Sequence, residues 1–380
     1  MKLKKYKLYE IADLNKSSIS NSDNTLSEII YLDTSSITEN VILGTCKMSI
    51  HEAPSRAQRR VKKNTILYST VRPRLKHYGI LSSPEANLIV STGFVTIDVK
   101  SEFQNSVDAR FLFLLLTQPH ITEYIASIAD SAVSAYPSFN SSDISALEFE
   151  FPEMNIQTHI ADIWKYYDSK IELNRQINDN LEEQLRLITS HYIFCSPNLE
   201  KKRIGEIATV KAGGDCPIIF SKTRTQECNI PIFSNGTENR GLYGFTDKAT
   251  IEEHSITVAA RGTIGYCERR LKPFVPIIRL LAITPKDEGA YIYLHQVFKG
   301  MKFKKNGSVQ QQLTVPEISF IEIPYPNSSV LSEYNKVASP IVEMIERNIS
   351  ENESLTKQRD ELLPLLMNGQ ASVNYHLSDD

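Results

Sequence analysis

Between Pro54 and Lys76 the chain carries eight Lys and Arg and no Asp or Glu: Arg56, Arg59, Arg60, Lys62, Lys63, Arg72, Arg74 and Lys76. Guanidinium groups fork onto phosphate oxygens or onto the major-groove edge of guanine, so such a run suits a nucleic-acid surface. A second set follows later, with Lys211, Arg240, Arg261 in A-R-G-T-I-G-Y, the pair Arg269-Arg270, and Lys302, Lys304 and Lys305 in K-G-M-K-F-K-K-N-G. Beside it stand Gln310, Gln311 and Gln312, whose amides match the adenine edge. One basic residue alone is an ordinary solvated surface group. Clustering in two places raises nucleic acid above other partners.

Groups that would do chemistry on that partner are missing from the pattern. There is no G-x-x-x-x-G-K-[ST] phosphate loop, no Asn/Asp-Pro-Pro-aromatic motif of the kind adenine methyltransferases use, and G-T-I-G-Y is a poor cofactor loop. Asp215 and Glu238 sit singly near glycine turns, where acids ordinarily cap or face solvent. Five cysteines (Cys46, Cys195, Cys216, Cys228, Cys267) form neither a CxxC pair nor a Cys/His cluster at zinc spacing, which predicts free thiols, no metal site and a reducing, cytoplasmic compartment. The longest apolar run, Phe111 to Leu116, is too short for export or for crossing a membrane. No catalytic constellation emerges.

Two helices must position these loops. Sliding the 380-residue chain by 174 positions lays Ile144 on Ile318, Pro152 on Pro326, Ile171 on Ile345, Asn174 on Asn348, Asn178 on Asn352, Leu181 on Leu355 and Gln184 on Gln358 without a gap. Ahead of the helices K-L-Y-E-I-A (7–12) resembles R-I-G-E-I-A (203–208) at a shift of 196. The order is therefore globular part, helix, globular part, helix. Ile160, Ile163, Tyr167, Ile171, Asn174, Asn178, Leu181, Leu185, Ile188 and Tyr192 recur mostly three and four apart, and so do Ile341, Ile345, Asn348, Asn352, Leu355, Arg359, Leu362 and Leu366. Asparagine in such a seam gives up stability to fix register and partner, because its amide is satisfied only by a group facing it. The simplest partner for each helix is the other. Pro197 is expected to close the first helix, Pro364 to kink or end the second, and Ser339-Pro340 to break the second near its start.

Charge and composition agree with this layout. With 41% apolar and 23% charged residues the chain is globular, long enough for two or three domains, and its net charge of −3 hides acidic helices between basic parts. Strands are expected near 28–32, 65–71, 88–97, 204–210, 256–260 and 277–283, and helices near 108–129 and 290–299. The expected fold class is α+β: two mixed α/β domains separated by two long helices that pair within the chain, with an internal repeat. Expected boundaries are 1–152 and 197–326 for the domains, 153–196 and 327–370 for the helices, and 371–380 for a tail.

Five stretches in this order resemble the specificity subunit of type I DNA restriction-modification systems: R-V-K-K-N-T-I-L-Y-S-T-V-R-P (60–73), I-P-I-F-S-N-G-T-E-N-R-G-L-Y-G-F (230–245), V-A-A-R-G-T-I-G (258–265), K-I-E-L-N-R-Q-I-N-D-N-L (170–181) and Q-R-D-E-L-L-P-L-L-M-N-G (358–369). The resemblance covers nearly the whole chain. It implies two target-recognition domains, each reading half of a split, asymmetric sequence in double-stranded DNA, with the two long helices forming an intramolecular antiparallel coiled coil about an internal pseudo-twofold and setting the number of unread base pairs. It implies docking of two modification subunits that carry S-adenosylmethionine, and of restriction subunits that carry ATP and Mg, with no cofactor in this chain. Two other readings stand beside it. A solitary nuclease or methyltransferase would show activity of the chain alone, and a coiled-coil adaptor would lack salt-dependent DNA binding.

Overall fold

The structure is a computed structural model that describes residues 3–19, 27–131, 137–195, 199–303 and 312–371. Two compact units divide the chain, one of Met1–Lys170 with Leu355–Asp380 and one of Ile171–Ser354. Each therefore holds a part of both long helices, Met154–Cys195 and Ser328–Met367.

In the first unit a four-stranded antiparallel sheet runs in the order Ala12–Leu14, Phe94–Val99, Ile66–Ser69, Tyr78–Ile80. A second sheet runs Cys46–Ser49, Glu28–Leu32, Leu88–Ser91, Ala57–Arg60, with a parallel pairing between 28–32 and 88–91. The strands of 66–69 and 88–91 are buried throughout, as sequences I-L-Y-S and L-I-V-S covered on both faces require. Against the first sheet pack Phe111, Leu112, Phe113 and Leu116, together with Ile160 and Trp164 of one long helix and Leu363 and Leu366 of the other.

The second unit repeats the plan with different residues. Its main sheet runs Ala208–Ala212, Leu281–Pro285, Ser255–Val258, Cys267–Arg270, and its second sheet runs Leu242–Thr246, Ile230–Phe233, Val275–Pro276. Again one pairing in the second sheet is parallel, between 230–233 and 275–276. Helix Tyr291–Gly300 covers the main sheet, and Leu185 with Leu331, Tyr334, Ala338 and Val342 completes the core from the long helices.

The junctions keep the sequence offsets residue for residue. Short helices Ser141–Ser145 and Val315–Ser319 begin at capping boxes on Asn140 and Thr314, and strands Glu148–Phe151 and Glu322–Tyr325 follow at the same shift of 174. Those strands pair antiparallel with Lys4–Lys7 and Glu200–Arg203, the two segments related by 196. Each globular part is thus closed onto the start of a long helix.

Several expected elements differ. The stretch at 108–129 forms two helices, Ala109–Leu116 and Pro119–Ser131, since Pro119 cannot donate within a helix but suits its first turn. The strand expected over 88–97 breaks at Thr92-Gly93, and residues 204–207 make one helical turn before the strand of 208–212. Neither Pro340 nor Pro364 ends the second helix, which continues to Met367. Burial of Ala338, Val342, Leu363 and Leu366 around the prolines offsets the missing hydrogen bonds. Pro197 lies outside the described residues.

Within the second unit the seam carries the asparagines. Asn174 Nδ2 donates to Asn352 Oδ1 at 2.9 Å, and Asn348 Nδ2 donates to Asn178 Oδ1 at 2.8 Å. Asn178 Nδ2 reaches the Ile345 carbonyl at 3.4 Å, while Asn352 Nδ2 reaches the Ile171 carbonyl at 3.1 Å. Each bond is the image of another under the 174-residue repeat, so the helices run antiparallel with a local twofold through the quartet. A fifth bond, Asn174 Nδ2 to Glu351 Oε2 at 2.8 Å, has no such image. Of the expected apolar rungs, Leu355 is buried and Leu181 half-buried. Replacing Asn174 and Asn178 together with Leu leaves Asn348 and Asn352 facing methyl groups. The expected outcome is unchanged helix content by circular dichroism, a loss of about 1–3 kcal/mol in urea melts, and a higher-mass species by light scattering. A double variant that melts and migrates like the parent would refute the register role.

Candidate nucleic-acid interface

Antiparallel strands bring turns together at the ends of a sheet, and this decides which basic residues meet. In the first unit Ser69 lies opposite Phe94 and Tyr68 opposite Tyr78, so turns 70–77 and 91–93 share one end of the main sheet. Thr70 donates its amide to Gly93 at 2.9 Å, and Thr92 donates to the Arg56 carbonyl at 2.8 Å. Arg72 therefore shares this end with Arg56. Its backbone is left-handed, with φ of 50°, and its amide donates to Pro137 at 2.9 Å. A non-glycine residue in that region is strained, and such strain concentrates at binding sites.

The second unit builds the same corner. Val258 faces Leu281 on one side and Cys267 on the other, and Ala212 also faces Leu281, so turns 259–266 and 276–280 and the loop after Ala212 converge. Arg261 stands where Arg72 stands, three residues beyond its strand. It is exposed and donates from Nε and Nη2 to Gln312 Oε1 at 3.0 and 2.6 Å, a neutral partner that leaves its charge uncancelled. Asn235 ties the corner together: its Oδ1 accepts from the Ala260 amide at 2.7 Å and its Nδ2 donates to the Ile278 carbonyl at 2.7 Å. Arg279, exposed and left-handed with φ of 62°, donates its amide to Gly213 at 3.0 Å. Lys211 is exposed on the strand leading into the same corner. Asn235 and Arg279 escaped the sequence reading. Their signals are the S-N-G turn and a left-handed backbone at a non-glycine residue, and the second is invisible in a sequence.

Other expected contacts are placed elsewhere. Lys62 and Lys63 lie beyond the opposite end of the 66–69 strand, lining a polar cleft of about 600 Å³ with Asp98, Asp108 and Arg110. Arg74 pairs with Asp130 at 2.7 Å and Glu123 at 3.2 Å, and Lys76 with Glu39, so their charge is cancelled within the unit. Arg59 is half-buried and donates to the Asn15 carbonyl at 3.2 Å and to Ser18. Arg60 is half-buried on the same strand, and Lys302 is exposed. Lys304, Lys305, Gln310 and Gln311 lie outside the described residues.

The largest correction concerns Arg240, Arg269 and Arg270, which do not face outward. Arg269, with a side chain only 3% exposed, pairs with Glu182 of the first long helix and stands 3.8 Å from Glu346 of the second. Arg240 bonds Glu346 at 3.1 Å and Glu268 at 2.8 Å. Arg270 lies over the Phe233 ring at 3.5 Å and donates to Thr257 Oγ1 at 3.0 Å and to the Arg240 carbonyl at 2.6 Å. Neighbours along a strand point to opposite faces, so one arginine meets the helices and the other meets the second sheet. These three are an internal fastening, with Lys299 adding a bond to Glu182 at 2.9 Å.

Among the described residues no group of three or more His, Cys, Asp or Glu gathers as a metal site would, and no helix is long and apolar enough to cross a membrane.

Comparison with known proteins places this geometry. The family described as "Type I restriction modification DNA specificity domain" matches twice, over residues 2–183 and 197–362. A similar protein is the type I restriction enzyme HindI specificity subunit of Haemophilus influenzae, 26% identical over 459 residues that cover 96% of this chain and 99% of the relative. Another is the putative type I specificity subunit S.MpnORF89P of Mycoplasma pneumoniae, 30% identical over 230 residues covering 56% of this chain and 68% of the relative. Among solved structures, the type I restriction-modification S subunit of M. genitalium superposes with a TM-score of 0.58, covering 96% of both chains at 18% identity, a likeness of fold.

The buried fastening makes the second unit sensitive to acid. Burial alone would raise the Glu182 carboxyl, but Arg269 and Lys299 outweigh it and hold it at about 2. Burial, and then Arg269, hold the His295 imidazole well below its ordinary range. Arg269 Nη1 lies 3.1 Å from His295 Nδ1, and since a guanidinium only donates, that nitrogen is the acceptor and the ring is neutral. Both groups have folded values below their unfolded ones, so both contribute stability that is lost as pH falls. Loss should begin near the ordinary histidine value of about 6.5 and, through Glu182, continue from about 4.5 toward 2. Urea melts of His295→Gln are expected to lack the upper part of this decline, and Arg269→Ala, which leaves Glu182 held by Lys299 and Gln296, should cost roughly 1–3 kcal/mol at neutral pH.

Proposed function

This chain belongs to the type I restriction-modification DNA specificity family, and from that premise we propose that its two units read the two halves of one split DNA target, through the corners at Arg72 with Arg56 and at Arg261 with Arg279. The chain is a noncatalytic specificity subunit. The observation that carries the reading is the repetition of one exposed, arginine-bearing turn at the same end of the same sheet in both units. Exposed cations release counterions when they meet phosphates.

In this reading the paired helices set the number of unread base pairs and offer the docking surface for two modification subunits. Those subunits supply S-adenosylmethionine and methylate adenine in each half-site. Restriction subunits, where present, add ATP- and Mg-dependent translocation and cleavage. This chain contributes binding and orientation. Arginine at a guanine edge is worth roughly 1–3 kcal/mol of discrimination against the wrong base, enough to define a half-site when a few such contacts combine.

The test is to coexpress the chain with its modification subunit and map methylated adenines across a genome. The expected result is a two-part motif with a fixed gap. Arg72→Ala is expected to relax or weaken one half of that motif and Arg261→Ala the other, each by about tenfold or more. Methylation or cleavage by the purified chain alone, or a motif untouched in both variants, would overturn the assignment.

A further inference from the structure

The segment P-I-I-F (217–220) has no place in a monomer's surface economy. Ile218 is wholly exposed and Ile219 is 53% exposed, yet the backbone on both sides is fixed. At one root Gly213 lies so close to the next chain that a Cβ on it would sit 2.6 Å from the Pro276 carbonyl carbon, and the amide of Ile278 donates to Gly214 at 2.8 Å. At the other root Thr246 Oγ1 donates to the Ile219 carbonyl at 2.7 Å, and Ser221 exchanges backbone bonds with Phe245 at 2.9 and 2.8 Å. The Phe220 and Tyr243 rings meet at 5.6 Å beneath the tip, with Lys222 Nζ 4.1 Å from the Tyr243 centroid. Branched apolar side chains are thus held out into solvent on a braced support.

The segment is continuous with the corner of Arg261 and Arg279. Gly213 and Gly214 hydrogen-bond the amides of Arg279 and Ile278, and Ile278 is itself 47% exposed with φ of 52°. A β-branched residue both left-handed and exposed is strained without the compensation of burial. On the segments that frame this apolar patch stand the cations Lys211, Lys222, Arg261 and Arg279, with the acids Asp215 at one root of the loop and Asp247, which accepts from Thr246 Oγ1 at 3.0 Å, at the other. Apolar side chains flanked by cations match a base step opened between two phosphates. Isoleucine is among the residues that wedge between base pairs in this way, kinking the duplex and admitting more protein surface.

Resting on the specificity reading above, we propose that Ile218 and Ile219, supported by Ile278, form a wedge that enters the DNA beside the half-site bound by the second unit and unstacks one base step. The flanking lysines and arginines hold the phosphates on either side. The deformability of that step then becomes part of what the unit recognises, beyond any base edge it touches.

The experiment uses the complex of this chain with its modification subunit and duplexes of its mapped target, with 2-aminopurine placed in turn at each position in and around that half-site. The parent complex is expected to raise fluorescence severalfold at one step. Ile218→Ala with Ile219→Ala should return that step to the free-duplex value and weaken binding about tenfold, with most of the loss recovered on a duplex carrying a mismatch at that step. Ile218→Met, which keeps the apolar bulk, should keep the signal. Specific binding by the parent with no unstacked step overturns the wedge and leaves the specificity reading intact. Failure of the double-alanine chain to assemble with the modification subunit, while Ile218→Met assembles, assigns the patch to a protein partner and also overturns it. Absence of any sequence-specific binding by the parent complex overturns the specificity reading and the wedge with it.

Discussion

A buried amide must find a partner, and in a helix seam only one register supplies it. Asn174 meets Asn352, and Asn178 meets Asn348, only when residue numbers across the seam rise and fall in step, so sliding either helix by a turn would leave four amides against aliphatic side chains. An all-leucine seam would bind as well or better and would tolerate several registers. The asparagines thus exchange stability for a fixed alignment. The strands entering each helix are closed by Lys4–Lys7 in the first unit and by Glu200–Arg203 in the second, so each globular part is tied to the helix that follows or flanks it.

In the second unit a further constraint binds sheet to seam. Arg269 lies beside carboxylates from both long helices, and Arg240 adds a second bond to Glu346. Holding three arginines and three carboxylates largely out of water is costly unless each is hydrogen-bonded, and replacement by apolar residues is often neutral or stabilising in such places. What ion pairs add is direction: a guanidinium bonded to Glu182 and standing 3.8 Å from Glu346 fits one orientation of the strand that carries it. Burial pushes Arg270 down to about 10, which still leaves it charged at neutral pH over the face of Phe233. The first unit holds its helices differently, with Asn40 bonding Asp168 at 3.0 Å and Arg359 standing 4.0 Å from the same carboxylate.

The sequence made the repeat, the long helices and the asparagine rungs legible because each depends on local spacing, and spacing survives in a one-dimensional record. It also located the exposed turns at Arg72 and Arg261, where basic residues interrupt strand-like runs. It misjudged Arg269 and Arg270, because a basic pair on a strand looks the same whether its acids are absent or lie 87 residues away, as Glu182 does. Lys62 and Lys63 stand within ten residues of Arg72 in sequence yet at the other end of a strand. Pro340 and Pro364 were read as breaks because local hydrogen bonding disfavours them, whereas burial of their neighbours is a tertiary effect. Asn235 ties two turns together through its side-chain amide and Arg279 takes a left-handed backbone, and composition encodes neither.

The two corners share a scaffold and differ in content, and this separates what must be constant from what is free to vary. Backbone bonds from Phe139 to Thr70 and from Leu313 to Ala260 brace each turn from the segment that leads into the next long helix. Those bonds involve no side chain, so they survive any substitution that keeps the chain's path. The side chains projecting from the braced turns differ: one corner presents Arg72 and Arg56, the other Arg261 and Arg279 with an apolar tip nearby. Loops anchored by their backbones in this way tolerate exchange of their contents. A fold built so can change the contents of a corner while the backbone bonds that brace it persist.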